Sequence, residues 1–126
     1  MKRISIIDDS DLVLELAKRV LEDAGYLVET FTDAGFFDPT TGAAPDLLLV
    51  DVNMPEFHGD DIVIFIKATW NVRVPILLYS NRSEEELSET VRRCGADGYI
   101  SKQSGLDQLV LKVQEILGAT SMRSNR

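Results

Sequence analysis

Polar side chains that could take part in a chemical reaction lie at the ends of four short apolar runs in this sequence. Asp8 and Asp9 follow the first of these runs, Asp51 ends a later one, and Ser80 and Lys102 follow two more. If each run is a strand of one open parallel sheet, their carboxyl ends meet at one edge, where ligands bind in such sheets. Three carboxylates, a hydroxyl and an ammonium group would then line that edge.

The three carboxylates have an electrostatic consequence. Two ionised carboxylates about 4 Å apart repel by roughly 4 kcal/mol at an effective dielectric constant of about 20. A hard divalent cation relieves this repulsion, and Mg²⁺ fits because it is held by few carboxylates and can also bind a phosphate oxygen. Lys102 adds a positive charge suited to a phosphoryl oxygen. This set of groups favours phosphoryl transfer to a carboxylate.

Taken singly, these residues have plain structural interpretations. Asp8 and Asp9 are suited to the start of a helix, Asp51 to a turn, and Ser80 and Lys102 to an exposed loop. Their joint order along the chain favours the functional interpretation. Other reactions would need groups that this edge lacks, since the only histidine lies elsewhere and no glycine-rich phosphate loop follows the first run.

Apolar runs alternate with segments of helical periodicity, a pattern typical of βαβ units around a parallel sheet. Segment 32–45 contains two glycines and two prolines, so we expect any helix there to be short and irregular. The predicted strands are 4–7, 27–31, 46–51, 74–79 and 98–100, and the clearer helices begin at Ser10 or Asp11, near Asp61, at Ser83 and near Leu106. We therefore predict an α/β, doubly wound, five-stranded parallel sheet with about five flanking helices.

Length and composition predict one domain of residues 1–117 and a short polar tail of residues 118–126. The chain has 126 residues, 44% of them hydrophobic, and a formal net charge of −8. This acidity argues against nucleic-acid binding by this chain. The first apolar run stops at Asp8, too early for a signal peptide or a membrane span. The lone Cys94 indicates a reducing compartment, so we expect a cytoplasmic protein without membrane contact.

Five motifs in order resemble the receiver domains of response regulators in two-component systems. They are Asp8-Asp9, Asp51 within Leu-Val-Asp-Val-Asn-Met-Pro, Ser80, Tyr99 and Lys102. The resemblance covers residues 1 to about 117 and implies a flavodoxin-like fold with strand order 2-1-3-4-5, the order that the chemotaxis member of this family exemplifies.

The resemblance also implies a role for each residue of the acidic cluster. Asp51 resembles the phosphoacceptor, which accepts a phosphoryl group with the help of Mg²⁺. Asp9 resembles the direct metal ligand, and Asp8 is expected to act through water. Asn53 resembles the residue whose main-chain carbonyl completes the metal shell.

The remaining matched residues resemble the parts of a switch. Lys102 resembles the phosphate-binding lysine, Ser80 the hydroxyl that moves towards the phosphoryl group, and Tyr99 the aromatic that changes rotamer with it. The donor implied is a histidine kinase or a histidine phosphotransfer protein. The switching surface implied is the face of the fourth helix, fifth strand and fifth helix, which would bind a downstream protein or a second copy of the chain. No output domain follows in the sequence, so the expected output is protein–protein contact unless the sequence is a fragment.

Two positions depart from the usual pattern of this family. Gln103 stands where proline commonly follows the lysine, and a cis bond before a residue other than proline costs about 3 kcal/mol. We therefore expect a trans bond or an altered loop there. Asn81 is larger than the small residue that often follows the switch hydroxyl.

Two other functions are open at this stage. A haloacid-dehalogenase-like phosphatase also uses an aspartyl phosphate, but it places a D-x-D pair after its first strand and needs a cap. Here adjacent acids end the first strand and Asn53 stands where a second acid would be expected after Asp51. The other alternative is an interaction module that works without phosphorylation, against which the intact acids argue.

Overall fold

The sheet has the predicted parallel topology. In the computed structural model, the described residues are 2–32, 45–52, 61–70 and 74–118. The strands are β1 (Arg3–Ile7), β2 (Leu27–Phe31), β3 (Leu47–Val50), β4 (Ile76–Ser80) and β5 (Gly98–Ser101). They form one five-stranded sheet in the order β2-β1-β3-β4-β5, and every neighbouring pair is parallel. The predicted fold class and strand order are confirmed.

Four α-helices lie in the described part of the chain. They are α1 (Asp11–Asp23), α2 (Asp61–Trp70), α3 (Glu84–Cys94) and α4 (Leu106–Val113). A π-helical turn, Gln114–Gly118, continues α4, and a 3-10 turn, Lys102–Ser104, joins β5 to α4. The irregular helix expected within 32–45 falls almost entirely outside the described residues, so the helices expected as fourth and fifth are α3 and α4 here.

Capping side chains begin two of the helices where the sequence predicts them. Ser10, one of two candidates, is the N-cap of α1, and its hydroxyl accepts a hydrogen bond of 3.3 Å from the N–H of Val13. Ser83 is the N-cap of α3 and accepts from the N–H of Glu86 at 3.2 Å. Gly95 ends α3 with a φ of 78°, a left-handed conformation that favours glycine.

Two hydrophobic layers cover the sheet, one on each face. The α1 and α4 side buries aliphatic side chains such as Ile6 and Leu49, and the α2 and α3 side buries their strand neighbours Ile7 and Leu48. Because successive side chains of a strand point to opposite faces, a strand buried on both faces reads as a continuous apolar run. Cys94 is buried in the second layer, as its helical position predicts.

The bounds of β2 match the prediction, and those of the other strands differ from it by one or two residues. β3 is one residue shorter than predicted at each end, although the Asp46 N–H donates to the Arg3 carbonyl at 2.8 Å and the Asp46 carboxylate accepts from the N–H of Arg3 at 2.8 Å. β4 and β5 each reach one residue further, because Ser80 pairs with Ser101. Among the described helices, none is long and apolar enough to cross a membrane.

Candidate functional site

Adjacent parallel strands bring Asp8 and Asp51 to the same edge of the sheet. Ile7 and Val50 are register partners at the ends of β1 and β3, and the acids are the next residues along each strand. The Asp51 N–H donates to the Ile7 carbonyl at 2.9 Å. Backbone pairing of the strands therefore fixes the positions of both acids, independently of the contacts that their side chains make.

The predicted acidic cluster is present. Carboxylate oxygens of Asp8, Asp9 and Asp51 all lie within 4.8 Å of one another. Asp8 and Asp51 are buried, whereas Asp9 is exposed, so the cluster opens to solvent on one side. Hard oxygen donors at this spacing are the ligand set that Mg²⁺ prefers. The residues present therefore fit a bound magnesium ion.

Among the described residues, Lys102 is the one whose positive charge contacts this cluster. Its Nζ lies 2.6 Å from Oδ2 of Asp8 and 3.6 Å from Oδ2 of Asp51, and its side chain is only 10% exposed. Three ionised carboxylates and one ammonium group leave a net charge of two negative units, which is the charge a divalent cation neutralises.

Asp8 also has the structural role that its position allows. Its Oδ1 accepts a hydrogen bond of 2.9 Å from the N–H of Ser10, which is the N-cap of α1. The structural and the chemical interpretations of Asp8 are thus compatible, because one carboxylate oxygen orients the turn while the other contacts Lys102. The turn bond holds the carboxylate in place.

Ser80 ends β4 at the same edge and is fully buried. Its hydroxyl accepts from the N–H of Arg82 at 3.4 Å. Tyr99 is the register partner of Leu78, which lies two residues before Ser80 and therefore on the same face of the sheet. Tyr99 is half-buried and packs against the α2 and α3 layer. The two residues predicted as switch elements thus share one face.

In the loop after Lys102, Gln103 stands where the family commonly has proline, and the peptide bond before it is trans. The peptide bonds of the described residues are all trans, which confirms the expectation for Lys102–Gln103. The Gln103 N–H donates to Ser101 Oγ at 3.2 Å, and its side-chain amide donates to the Asn81 carbonyl at 2.8 Å. Gln103 thereby links the loop after β5 to the loop after β4.

Tyr79 is a residue of the site that the sequence analysis does not single out. Lys102 Nζ lies over its ring, 5.5 Å from the centroid. Burial and, to a smaller extent, the negative charge of Asp8 raise the pKa of the Tyr79 hydroxyl. A signal was available in the sequence, since an aromatic residue directly precedes Ser80, the predicted switch residue, in an otherwise aliphatic strand.

Asn53 lies outside the described residues, so the carbonyl ligand expected there stays a prediction.

Comparison with known proteins identifies relatives of this arrangement. A family model described as the response regulator receiver domain matches residues 4–114. The chain is 33% identical over 127 residues to the transcriptional regulatory protein PrrA of Mycobacterium leprae, covering 98% of this chain and 54% of PrrA. It is 25% identical over 119 residues to the polar-differentiation response regulator DivK of Brucella ovis, covering 93% of this chain and 97% of DivK. The chain thus spans about half the length of PrrA and nearly all of DivK.

Solved structures of two other proteins have the same fold as this chain. A CheY-like response regulator receiver domain protein from Methanospirillum hungatei JF-1 matches with a TM-score of 0.80 at 27% identity, over 98% of both chains. The chemotaxis protein CheY4 of Vibrio cholerae matches with a TM-score of 0.80 at 26% identity, over 93% of this chain and 99% of that one.

These matches also bear on the phosphatase alternative. They are to receiver domains of signalling proteins and not to a family of catalytic enzymes, so the phosphatase hypothesis finds no support in them. The family match spans nearly every element that builds the acidic cluster and its lysine. The chain belongs to the family of response regulator receiver domains.

Proposed function

We propose that this chain is the phosphoacceptor of a two-component system and that Asp51 is the residue phosphorylated. The observation that carries the proposal is the buried Asp51 carboxylate, which lies within reach of two further acids and 3.6 Å from Lys102. Such a set provides a nucleophile, ligands for a cation and a positive charge for a phosphoryl oxygen. We propose residues 1–117 as the receiver unit and 118–126 as its tail.

In the proposed transfer, a carboxylate oxygen of Asp51 attacks the phosphorus of a phosphohistidine on a histidine kinase or a histidine phosphotransfer protein. A P–O bond forms as the P–N bond breaks, and the bonding electrons leave with the histidine nitrogen. Lys102 then exchanges its contact with Asp8 for a phosphoryl oxygen. The starting contact with Asp8 is a charge-assisted hydrogen bond and that with Asp51 is an ion pair at 3.6 Å, so the lysine would exchange one anionic oxygen for another.

The metal site that we propose uses Asp8, Asp9 and Asp51, with the main-chain carbonyl of Asn53 suggested by the family resemblance. When bound, Mg²⁺ supplies positive charge that offsets the negative charge developing on the transferred group. Exposed Asp9 lies on the open side of the cluster, where a cation and the donor can enter. Buried Asp8 accepts a hydrogen bond from the N–H of Ser10, which orients its carboxylate within the cluster.

The proposed output is a change at the surface formed by α3, β5 and α4, the fourth-helix, fifth-strand and fifth-helix face of the sequence analysis. New charge on Asp51 would draw Ser80 inward, and Tyr99, on the same face of the sheet, would follow. A cavity of about 300 Å³ borders Tyr99 and is also lined by Glu84, Ser101, Gln108 and Lys112. This surface would bind a downstream protein or a second copy of the chain in one of two states.

The stoichiometry of phosphoryl uptake tests this function. With Mg²⁺ and a small acyl phosphate, we expect one phosphoryl group per chain and negligible turnover of an aryl phosphate. Sustained aryl phosphate hydrolysis by the wild type, lost in Asp51→Asn, would instead identify a phosphatase. Partner binding that is unchanged between the phosphorylated wild type and Asp51→Asn would support the phosphorylation-independent module.

A further inference from the structure

Tyr79 and Lys102 form a contact that the general scheme of phosphoryl transfer does not include. The ammonium nitrogen lies over the tyrosine ring, 5.5 Å from its centroid. Tyr79 is 4% exposed and belongs to the core layer beneath α1 and α4. A cation within about 6 Å of an aromatic ring is attracted by the negative face of the ring, and the attraction grows when the pair is removed from water.

Two acids compete for the ammonium group that lies over the ring. Asp8 holds Lys102 at 2.6 Å, whereas Asp51 lies at 3.6 Å. For Lys102 to serve a group on Asp51, it must loosen its contact with Asp8. The ring accepts no strong hydrogen bond from the ammonium group, so it does not compete with either acid for an N–H of the lysine, and its attraction persists while the nitrogen stays over the ring.

Apolar side chains complete this wall of the site. A cavity of about 220 Å³ is lined by Tyr79, Lys102, Asn81, Val13, Leu16 and Leu106. Tyr79 is the one buried residue of this lining, since Val13 and Leu106 are half-buried and Leu16 is exposed, so the ring supplies the buried apolar surface on this side of the lysine. Removing the ring would enlarge the cavity next to the ammonium group and let the lysine be solvated there.

We propose that Tyr79 is a positioning residue that keeps the ammonium group of Lys102 beside Asp51 through its aromatic ring. This inference rests on the proposed function, because the reaction it serves is phosphorylation of Asp51. The hydroxyl is not the acting group, so Tyr79→Phe should preserve the effect. Tyr79→Leu and Tyr79→Met, which keep an apolar side chain without a ring, should lose it.

The first test is the rate of phosphorylation by a small acyl phosphate at saturating Mg²⁺. We expect Tyr79→Leu and Tyr79→Met to lower the rate constant about tenfold, the size of a partly buried cation–π contact, and Tyr79→Phe to stay within about twofold of the wild type. In a Lys102→Gln background, replacing the ring should have no further effect on the slow residual rate. Equal losses in both backgrounds would overturn the proposal, because they would indicate a general packing role.

The second test needs neither metal nor phosphoryl donor. A double-mutant cycle on the denaturant unfolding of the metal-free protein, with Tyr79→Leu and Lys102→Gln, should give a favourable coupling between ring and lysine. Additive effects of the two substitutions would overturn the proposal. If the wild type takes up no phosphoryl group, the proposed function fails; if it does so and Tyr79→Leu and Tyr79→Met react at the same rate, the positioning role alone fails.

Discussion

The Nζ of Lys102 lies 2.6 Å from Oδ2 of Asp8, a full ångström closer than it lies to Asp51. The pair joins the loop after β5 to the end of β1, across 94 residues of sequence. Both side chains are nearly removed from solvent. The lysine that we assign to the phosphoryl group thus contacts a proposed metal ligand. We expect this contact with Asp8 to stabilise the fold and to be the starting point of the proposed reaction.

Removing this lysine should destabilise the protein. Lys102→Gln leaves the Asp8 carboxylate buried beside Asp51 without its ammonium partner, and breaking one side of a buried pair costs roughly 3 kcal/mol or more. Denaturant unfolding without metal measures the change. The matched control is Lys112→Gln, because the ion pair that Lys112 forms within the described residues is an exposed contact of 4.0 Å with Glu115, and exposed pairs contribute about 1 kcal/mol or less. Equal stability of Lys102→Gln and the control would refute a stabilising role for the Asp8 contact.

Magnesium should stabilise the folded chain through the acidic cluster. At a concentration about ten times the dissociation constant, binding adds about 1.4 kcal/mol to the free energy of unfolding. Asp9→Asn should abolish this gain while leaving the metal-free protein about as stable as the wild type or more so, since it removes one repelling charge. Asp11→Asn is the control, since Asp11 is an exposed acid outside the cluster. An undiminished magnesium effect in Asp9→Asn would place the ion elsewhere.

Alkaline pH should weaken the fold through Tyr79. Its pKa is raised in the folded protein by burial and by Asp8, whereas an unfolded tyrosine titrates at about 10. The folded chain therefore keeps this proton to higher pH, and the stability it contributes is complete below pH ~10 and lost as pH rises through the folded-state value. Tyr79→Phe cannot ionise, so its free energy of unfolding should fall less between about pH 9 and about pH 11. Parallel declines in the two proteins would contradict this prediction.

The N-cap of α3, a helix of the proposed output surface, should stabilise the folded protein. Ser83→Ala removes the hydroxyl that accepts from the N–H of Glu86, a loss that typically costs about 1 kcal/mol. Ser83→Asp keeps an acceptor at the same position and should retain most of the stability. Thermal or denaturant unfolding distinguishes the two variants, and an alanine variant as stable as the aspartate one would show that the cap contributes nothing.

Much of the fold could be predicted from the sequence because local patterns and topology agree. The apolar runs indicated the five strands, and Ser83 indicated the start of a helix that begins there in the structure. Strand ends were less predictable, because they depend on side chains that are distant in sequence. Asp46 is an example, since both its N–H and its carboxylate form hydrogen bonds with the backbone of Arg3, 43 residues away in sequence, although the strand itself begins at Leu47.

The acidic cluster could be predicted because parallel strands place the residues that follow them at one edge. The contact between Tyr79 and Lys102 could not, because it depends on the direction of a long side chain beyond the last paired residue. The preference of Lys102 for Asp8 over Asp51 depends likewise on distances of a few ångströms. The carbonyl ligand expected at Asn53 remains a prediction.

The most direct test of the central claim is the intact mass of the protein after incubation with Mg²⁺ and a small acyl phosphate, followed by mapping of the modified peptide. We predict one phosphoryl adduct on Asp51, absent in Asp51→Asn and absent when a chelator removes the metal. An adduct that persists in Asp51→Asn, or no adduct on the folded wild type with Mg²⁺ present, would contradict the account.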